Sequence, residues 1–193
     1  MSAVESTMLE LETKAPDFTL PIVTGGILNF TKYSGRSKGT VIAFICNHCP
    51  YVKHINAALV ELAHNYIQKG IGFIAISSND VEKYPQDGPE EMIKLATEEG
   101  YPFPYLFDES QKVAKEYKAA CTPDFFLFNE KAELSYRGQF DESRPGNGKV
   151  ATGSDLQEAI EVLISGGEPL QNQIPSIGCS IKWKLGNEPD YFG

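Results

Sequence analysis

Two cysteines two residues apart, Cys46-Asn47-His48-Cys49, are the part of this sequence richest in chemistry. Such a pair serves either as a redox-active dithiol or as half of a metal site, so its placement decides. The first cysteine ends a branched, apolar run, Val41 to Ile45, and the second opens an amphipathic stretch. The spacing therefore predicts Cys46 at a helix N-terminus, facing unpaired amides and the positive end of the dipole. Thiols held there fall to a pKa of roughly 3.5–7.5. Pro50 then lies in the first helical turn, where a missing N–H costs little. The roles that follow are Cys46 as exposed nucleophile toward a substrate disulfide and Cys49 as the more buried thiol that breaks the mixed disulfide. His48 either lends positive charge to Cys46 or is a solvated loop residue. His54 and His64 read as surface or core-edge residues rather than ligands.

The second element is Thr122-Pro123, which runs directly into an apolar strand. Only about 5–6% of X–Pro bonds are cis, so the residues alone predict a trans turn. Cys121 precedes this pair and reads as a small buried hydrophobe, with an accessory redox thiol as the alternative. Cys179 lies in a tail beyond the core; it reads as inert, since a mobile tail offers no fixed approach geometry, with a further resolving thiol as the alternative. Structural zinc takes four ligands, and no second ligand pair stands in the sequence, so neither a metal nor another cofactor is expected.

These groups need elements to position them. Ala15 to Leu20 alternates apolar and polar, like a short strand, and Gly25-Gly26 turns the chain into Ile27 to Phe30. Val41 to Ile45 suits a strand buried on both faces. Val52, Ile55, Leu59, Leu62 and Tyr66 form one stripe of a 3.6-residue period, ending at Gly70. A second buried strand spans Ile71 to Ile76. Asp87, Pro89 and Glu90 read as N-cap, first-turn proline and capping glutamate of a helix that stops at Gly100. Tyr105 to Phe107 is a short strand, and Ser110 caps a helix through Tyr117. Phe125 to Phe128 and Glu133 to Phe140 form an antiparallel hairpin. Ser154 or Asp155 caps a final helix with the stripe Leu156, Ile160 and Leu163. The order is a parallel βαβ unit followed by an antiparallel ββα unit: an α/β three-layer sandwich with a mixed central sheet flanked by helices.

The 193 residues suit one domain. Residues 1–12 read as a flexible arm, 13–166 as the domain, and 167–193 as a tail that packs on it through Ile181 and Trp183. A net charge of -9 repels nucleic acid and anionic membranes, so neither is expected as a partner. No apolar run reaches transmembrane length, and the opening lacks the basic and apolar regions of a secretory signal, which points to the cytoplasm. Close cysteines there are not structural staples.

Ala15-Pro16-Asp17-Phe18, the strand into Cys46-Asn47-His48-Cys49-Pro50, Thr122-Pro123-Asp124-Phe125-Phe126-Leu127 and the hairpin through Gly138 resemble the thioredoxin superfamily, in its AhpC/TSA (redoxin) branch near the TlpA-like oxidoreductases. The Cys46 to His54 run, the Arg144 to Gly148 loop and the Gly178 to Trp183 tail are similar to a peroxiredoxin-like group of uncharacterised thioredoxin-family proteins. The likeness spans about residues 13–166. It implies a cis Pro123 facing the dithiol, with Thr122 offering backbone hydrogen bonds to substrate. There are departures. The peroxiredoxin pattern Pro-x-x-x-Thr-x-x-Cys finds Ile42 and Cys46 before Cys49, and Gly39 and Ala43 before Cys46, so that peroxidase site is absent. The tryptophan before the first cysteine is Ile45, and the buried acid six positions before it is Thr40. Glu82, Asp80 or a water would then have to accept the resolving thiol's proton.

The expected function is a thiol–disulfide oxidoreductase acting on disulfides of proteins or small molecules and recharged by an external reductant. A peroxiredoxin-like antioxidant peroxidase, a metal-binding module and a redox-sensing module are the alternatives.

Overall fold

Gly39–Phe44 is buried at every position, as is Ile71–Ser77, and these become the central strands β4 and β5 of the computed structural model, which describes residues 3–191. They pair in parallel, Gly39 with Ile71 through Phe44 with Ile76. Tyr105–Phe107 (β6) extends the sheet in parallel beside β5, while Asp124–Asn129 (β8) runs antiparallel to β4 and Leu134–Gly138 (β9) antiparallel to β8. The strand order β6-β5-β4-β8-β9 is the mixed sheet expected.

Alternation of side chains across the pleat divides the core. One face carries Val41, Ala43, Phe73, Phe125 and Leu127, and packs against α2 (Pro50–Ile67) and α5 (Ser154–Ile164). The other carries Ile42, Phe44, Ile74, Phe126 and Phe128 beneath α4 (Lys112–Glu116). The stripe Val52, Ile55, Leu59, Leu62 and Tyr66 is the buried side of α2, as its period requires. Removing Leu59 to its Cβ would cost about 2–5 kcal/mol, the range for a sealed core position. The three layers are those of a thioredoxin-like fold. Among the described residues no helix is long and apolar enough to cross a membrane.

Several local expectations are corrected. Thr19–Pro21 (β2) pairs with Ile27–Asn29 (β3), but Phe30 leaves the strand and starts a short helix, α1 (Phe30–Ser34), which Asn29 caps by accepting from the Lys32 amide. Asp87 ends a single 3-10 turn, Pro85–Asp87, and the N-cap of α3 (Pro89–Glu98) is Gly88. Left-handed Gln111 and Gly153, not Ser110, Ser154 or Asp155, stand at the N-caps of α4 and α5. Asp141 accepts from the Thr152 and Gly153 amides at 2.6 and 2.7 Å, so a residue twelve positions away fixes the entrance to α5.

The largest correction concerns the first residues and the strand they meet in the tail, which otherwise packs on the domain through Ile181 and Trp183 as expected. Residues 3–12 are anchored rather than a loose arm. Ala3–Glu5 (β1) pairs with Ile177–Ser180 (β10), which pairs on its other edge with Cys121–Thr122 (β7), giving a second sheet in the order β1-β10-β7. The Ser6 and Glu12 amides donate to the Ser176 and Leu134 carbonyls. Beyond β10, Ile181 and Trp183 are buried, and the Lys182 backbone is tied to Asn79, Asp80 and Gln111.

Candidate active site

Cys46 sits just past the end of β4, and Cys49 is the N-cap residue of α2, one position before the helix begins with Pro50. Both are free thiols and both are buried, with residue exposures of 1% and 0%. The expectation of an exposed Cys46 is therefore corrected: β4 carries it to the centre of the domain before the chain turns. Above the pair lies the Thr122–Pro123 peptide, which is cis, as the family resemblance implies. The Thr122 hydroxyl is 3.5 Å from Cys46 Sγ, and its carbonyl oxygen is 3.1 Å from Cys49 Sγ.

The amides that were to stabilise a Cys46 anion are already engaged. Asp87, buried, accepts from the Asn47 amide at 2.9 Å and the His48 amide at 3.1 Å. Its second oxygen lies 2.6 Å from His48 Nδ1 and accepts from Asn79 Nδ2 at 2.8 Å. A carboxylate so placed fixes the loop between the two cysteines, and it opposes rather than favours negative charge on Cys46. His48 Nδ1 is 3.9 Å from Cys46 Sγ but only 2.6 Å from Asp87, so its hydrogen bond is directed to the carboxylate. The ring stacks on Tyr84 at 5.4 Å, so His48 is a held residue and not a solvated one. Thr40 hydrogen-bonds Ser37, Asp80 takes the Glu82 amide, and Glu82 itself is exposed. Asp87 is thus the carboxylate that reaches the motif.

The two sulfurs share a hydrogen bond, and that bond separates their titrations. It pulls Cys49 down to about 5, against the cost of burial and with help from Thr122, the Val52 amide and Cys179. The same bond pushes Cys46 well up, with burial and the Asp87 charge adding to it. The reduced pair releases one proton readily and a second reluctantly, behaviour that belongs to the pair. The 3.1 Å contact between Cys49 Sγ and the Thr122 carbonyl suits a thiol, so moving the proton across to Cys49 leaves the charge on Cys46 with the Thr122 hydroxyl as donor.

The Thr122 backbone does not stand open to a substrate as the resemblance implies, because β10 pairs along β7 with Cys179 opposite Thr122. Cys179 is accordingly held in a strand opposite Thr122 and buried, and the expectation of a mobile tail is corrected. Cys121 is buried with its sulfur toward the Pro123 and Ser176 carbonyls. His54 is half-buried and His64 exposed, both on α2. A hollow of about 10 Å³, room for roughly one water, lies among Tyr51, Ile55, Pro123, Phe140 and Arg144. Cys46, His48 and Asp87 offer donor atoms within 4.8 Å of one another. They supply three of the four ligands a structural zinc takes, and the 2.6 Å hydrogen bond joins two of them directly.

Sequence reasoning missed Asp87, Asn79 and Tyr84. The one available signal was that Asp87 precedes Gly-Pro, and that is also how a helix start reads.

Residues 11–137 match the AhpC/TSA family. The crystal structure of an uncharacterised conserved protein from Geobacillus kaustophilus is 53% identical with a TM-score of 0.92, over 95% of this chain and 97% of that one. A hypothetical protein from Sinorhizobium meliloti is 44% identical, also at 0.92, over 94% and 99%. The thioredoxin domain of a thiol–disulfide oxidoreductase from Bacteroides vulgatus is similar in fold, at 17% identity and a TM-score of 0.63, over 81% and 99%. No curated protein sequence matches the chain significantly.

Proposed function

The chain belongs to the AhpC/TSA family, and we propose that it is a thiol–disulfide oxidoreductase whose redox centre is Cys46 and Cys49. The observation that carries this reading is the pair of buried free thiols held against Thr122 at the β4–α2 junction, with Cys46 Sγ 3.5 Å from its hydroxyl and Cys49 Sγ 3.1 Å from its carbonyl oxygen. Cys46 as thiolate attacks one sulfur of a substrate disulfide; a mixed disulfide forms and the other substrate sulfur leaves as a thiolate. Cys49 then attacks the Cys46 sulfur, closing the Cys46–Cys49 disulfide and releasing the second substrate thiol. A dithiol reductant returns the pair to its starting state.

Asp87 and His48 are positioning residues: they hold the Asn47-His48 turn so that the two sulfurs stay in register. Thr122 supports the Cys46 anion through its hydroxyl, and Pro123 follows it against the pair. The buried sulfurs and the paired edge of β7 favour a slender disulfide, a small molecule or an extended peptide tip, over a bulky folded surface.

Reduction of oxidised glutathione and of insulin tests the reading. Cys46→Ser loses the attacking thiol and with it most of the turnover rate, and Cys49→Ser accumulates a mixed disulfide at position 46. Full turnover by Cys46→Ser overturns the assignment. A reaction of the reduced protein with hydrogen peroxide far faster than a free thiol's would replace it with the peroxidase reading.

A further inference from the structure

Cys179 reaches the dithiol by a route its place in the sequence conceals. In the β7–β10 ladder Cys179 stands opposite Thr122 and Ser180 opposite Cys121. Directly opposed residues point to one face of a sheet, so Cys179 shares the face of Thr122, whose hydroxyl and carbonyl meet Cys46 and Cys49. The approach of β10 requires Gly178, where a Cβ would collide with the Thr122 carbonyl. Cys179 is buried in the same core as Cys46 and Cys49.

We propose that Cys179 is a third redox thiol of this centre, which exchanges with Cys49 and converts the Cys46–Cys49 disulfide into a Cys49–Cys179 disulfide. The inference rests on the reading that Cys46 and Cys49 form a disulfide in turnover. The Cys179 thiolate attacks Cys49 Sγ, the Cys46–Cys49 bond breaks as the Cys49–Cys179 bond forms, and the electron pair leaves with the Cys46 sulfur. That sulfur takes up the proton Cys179 gave, so the exchange is redox-neutral and needs no other reactant. Its outcome is a change of mode: Cys46 is free again while Cys49 is masked, and a dithiol centre becomes a monothiol one.

In the reduced protein burial first, and then the hydrogen bond and charge of Cys49, hold the Cys179 thiol up at about 12, with Lys182 opposing. Cys49 bears no charge once it is in a disulfide, so part of that restraint disappears in the state where attack is needed.

Disulfide mapping tests the exchange. The protein is oxidised with excess oxidised glutathione, quenched in acid, alkylated and analysed by peptide mass spectrometry. Wild type is expected to yield both Cys46–Cys49 and Cys49–Cys179 peptides. Cys46→Ser is expected to yield Cys49–Cys179, and Cys46→Ser/Cys179→Ser to carry glutathione on Cys49 instead. Wild type with Cys46–Cys49 alone, or Cys46→Ser with Cys179 recovered as a free thiol, overturns the inference and leaves the oxidoreductase reading standing. Wild type that forms neither bond sinks that reading as well.

Discussion

Cys121 and Cys179 lie on neighbouring strands of one small sheet, both buried, both outside the Cys-x-x-Cys motif. They are one register step apart. Cys179 is opposed to Thr122 and lies in the same core as Cys49, whereas Cys121 is opposed to Ser180 and turns to the Pro123 and Ser176 carbonyls, on the side of Asp124 and Arg137. Burial first, and the Asp124 charge second, push the Cys121 thiol well up, with Arg137 opposing. Depth and residue type are the same in both places. Strand parity, which sends alternate side chains to opposite faces, decides which thiol joins the chemistry.

Titration separates the two faces most widely. Thiolate absorbance of the reduced protein should show a first ionisation near 5 that Cys49→Ser removes and Cys121→Ala leaves in place. Asp87→Asn removes a negative charge beside Cys46 and should bring the second ionisation down. The linkage has a definite sign. Between about 5 and the ordinary thiol value of 9.0 the folded pair binds fewer protons than the unfolded chain, so its contribution to stability grows with pH across that window. It is lost as the pH falls through about 5, and denaturant midpoints across pH, compared with a Cys46→Ser/Cys49→Ser variant, measure it.

Gly178→Ala comes next. The added methyl meets the Thr122 carbonyl, so β10 has to back away from β7 at a cost of about 1–3 kcal/mol, the usual range for overpacking. Urea unfolding would show the loss, and mapping of the oxidised variant would show less Cys49–Cys179. Unchanged stability would mean that the two strands are not in the contact described. The smallest effect belongs to Cys121→Ala. It removes one buried sulfur, should lower stability by about 1 kcal/mol, and should leave glutathione reductase-coupled turnover within twofold of wild type. A large loss of turnover would erase the distinction between the faces.

The sequence made the central sheet legible because its strands are continuous apolar runs and α2 carries an uninterrupted stripe; no partner outside each segment is needed to see them. The same holds for the two cysteines and for Thr122-Pro123, which the family resemblance implies face one another as they do here. Asp87 was not legible. Its four acceptor contacts reach 39 and 40 residues back and eight residues back, and such bonds leave no local pattern. Asp-Gly-Pro meanwhile fits the rules of a helix start closely enough to mislead. The strand inside the tail was hidden for a related reason, although the packing of Ile181 and Trp183 was legible. Ile177-Gly178-Cys179-Ser180 is short and contains glycine, so it is a strand only because β1 and β7 flank it. The helix caps at Gln111 and Gly153 were hidden because left-handed backbone there is set by packing and by Asp141, not by a capping side chain.

Because β10 is laced on both edges, the sulfur of Cys179 does not ride on a swinging arm. Its reach is set by rotation about a single side-chain bond, a motion that needs no displacement of surrounding solvent. Thickening the medium with glycerol or sucrose should therefore leave the internal exchange at the same speed, and a crystal soaked in oxidant should rearrange its sulfur bonds without cracking.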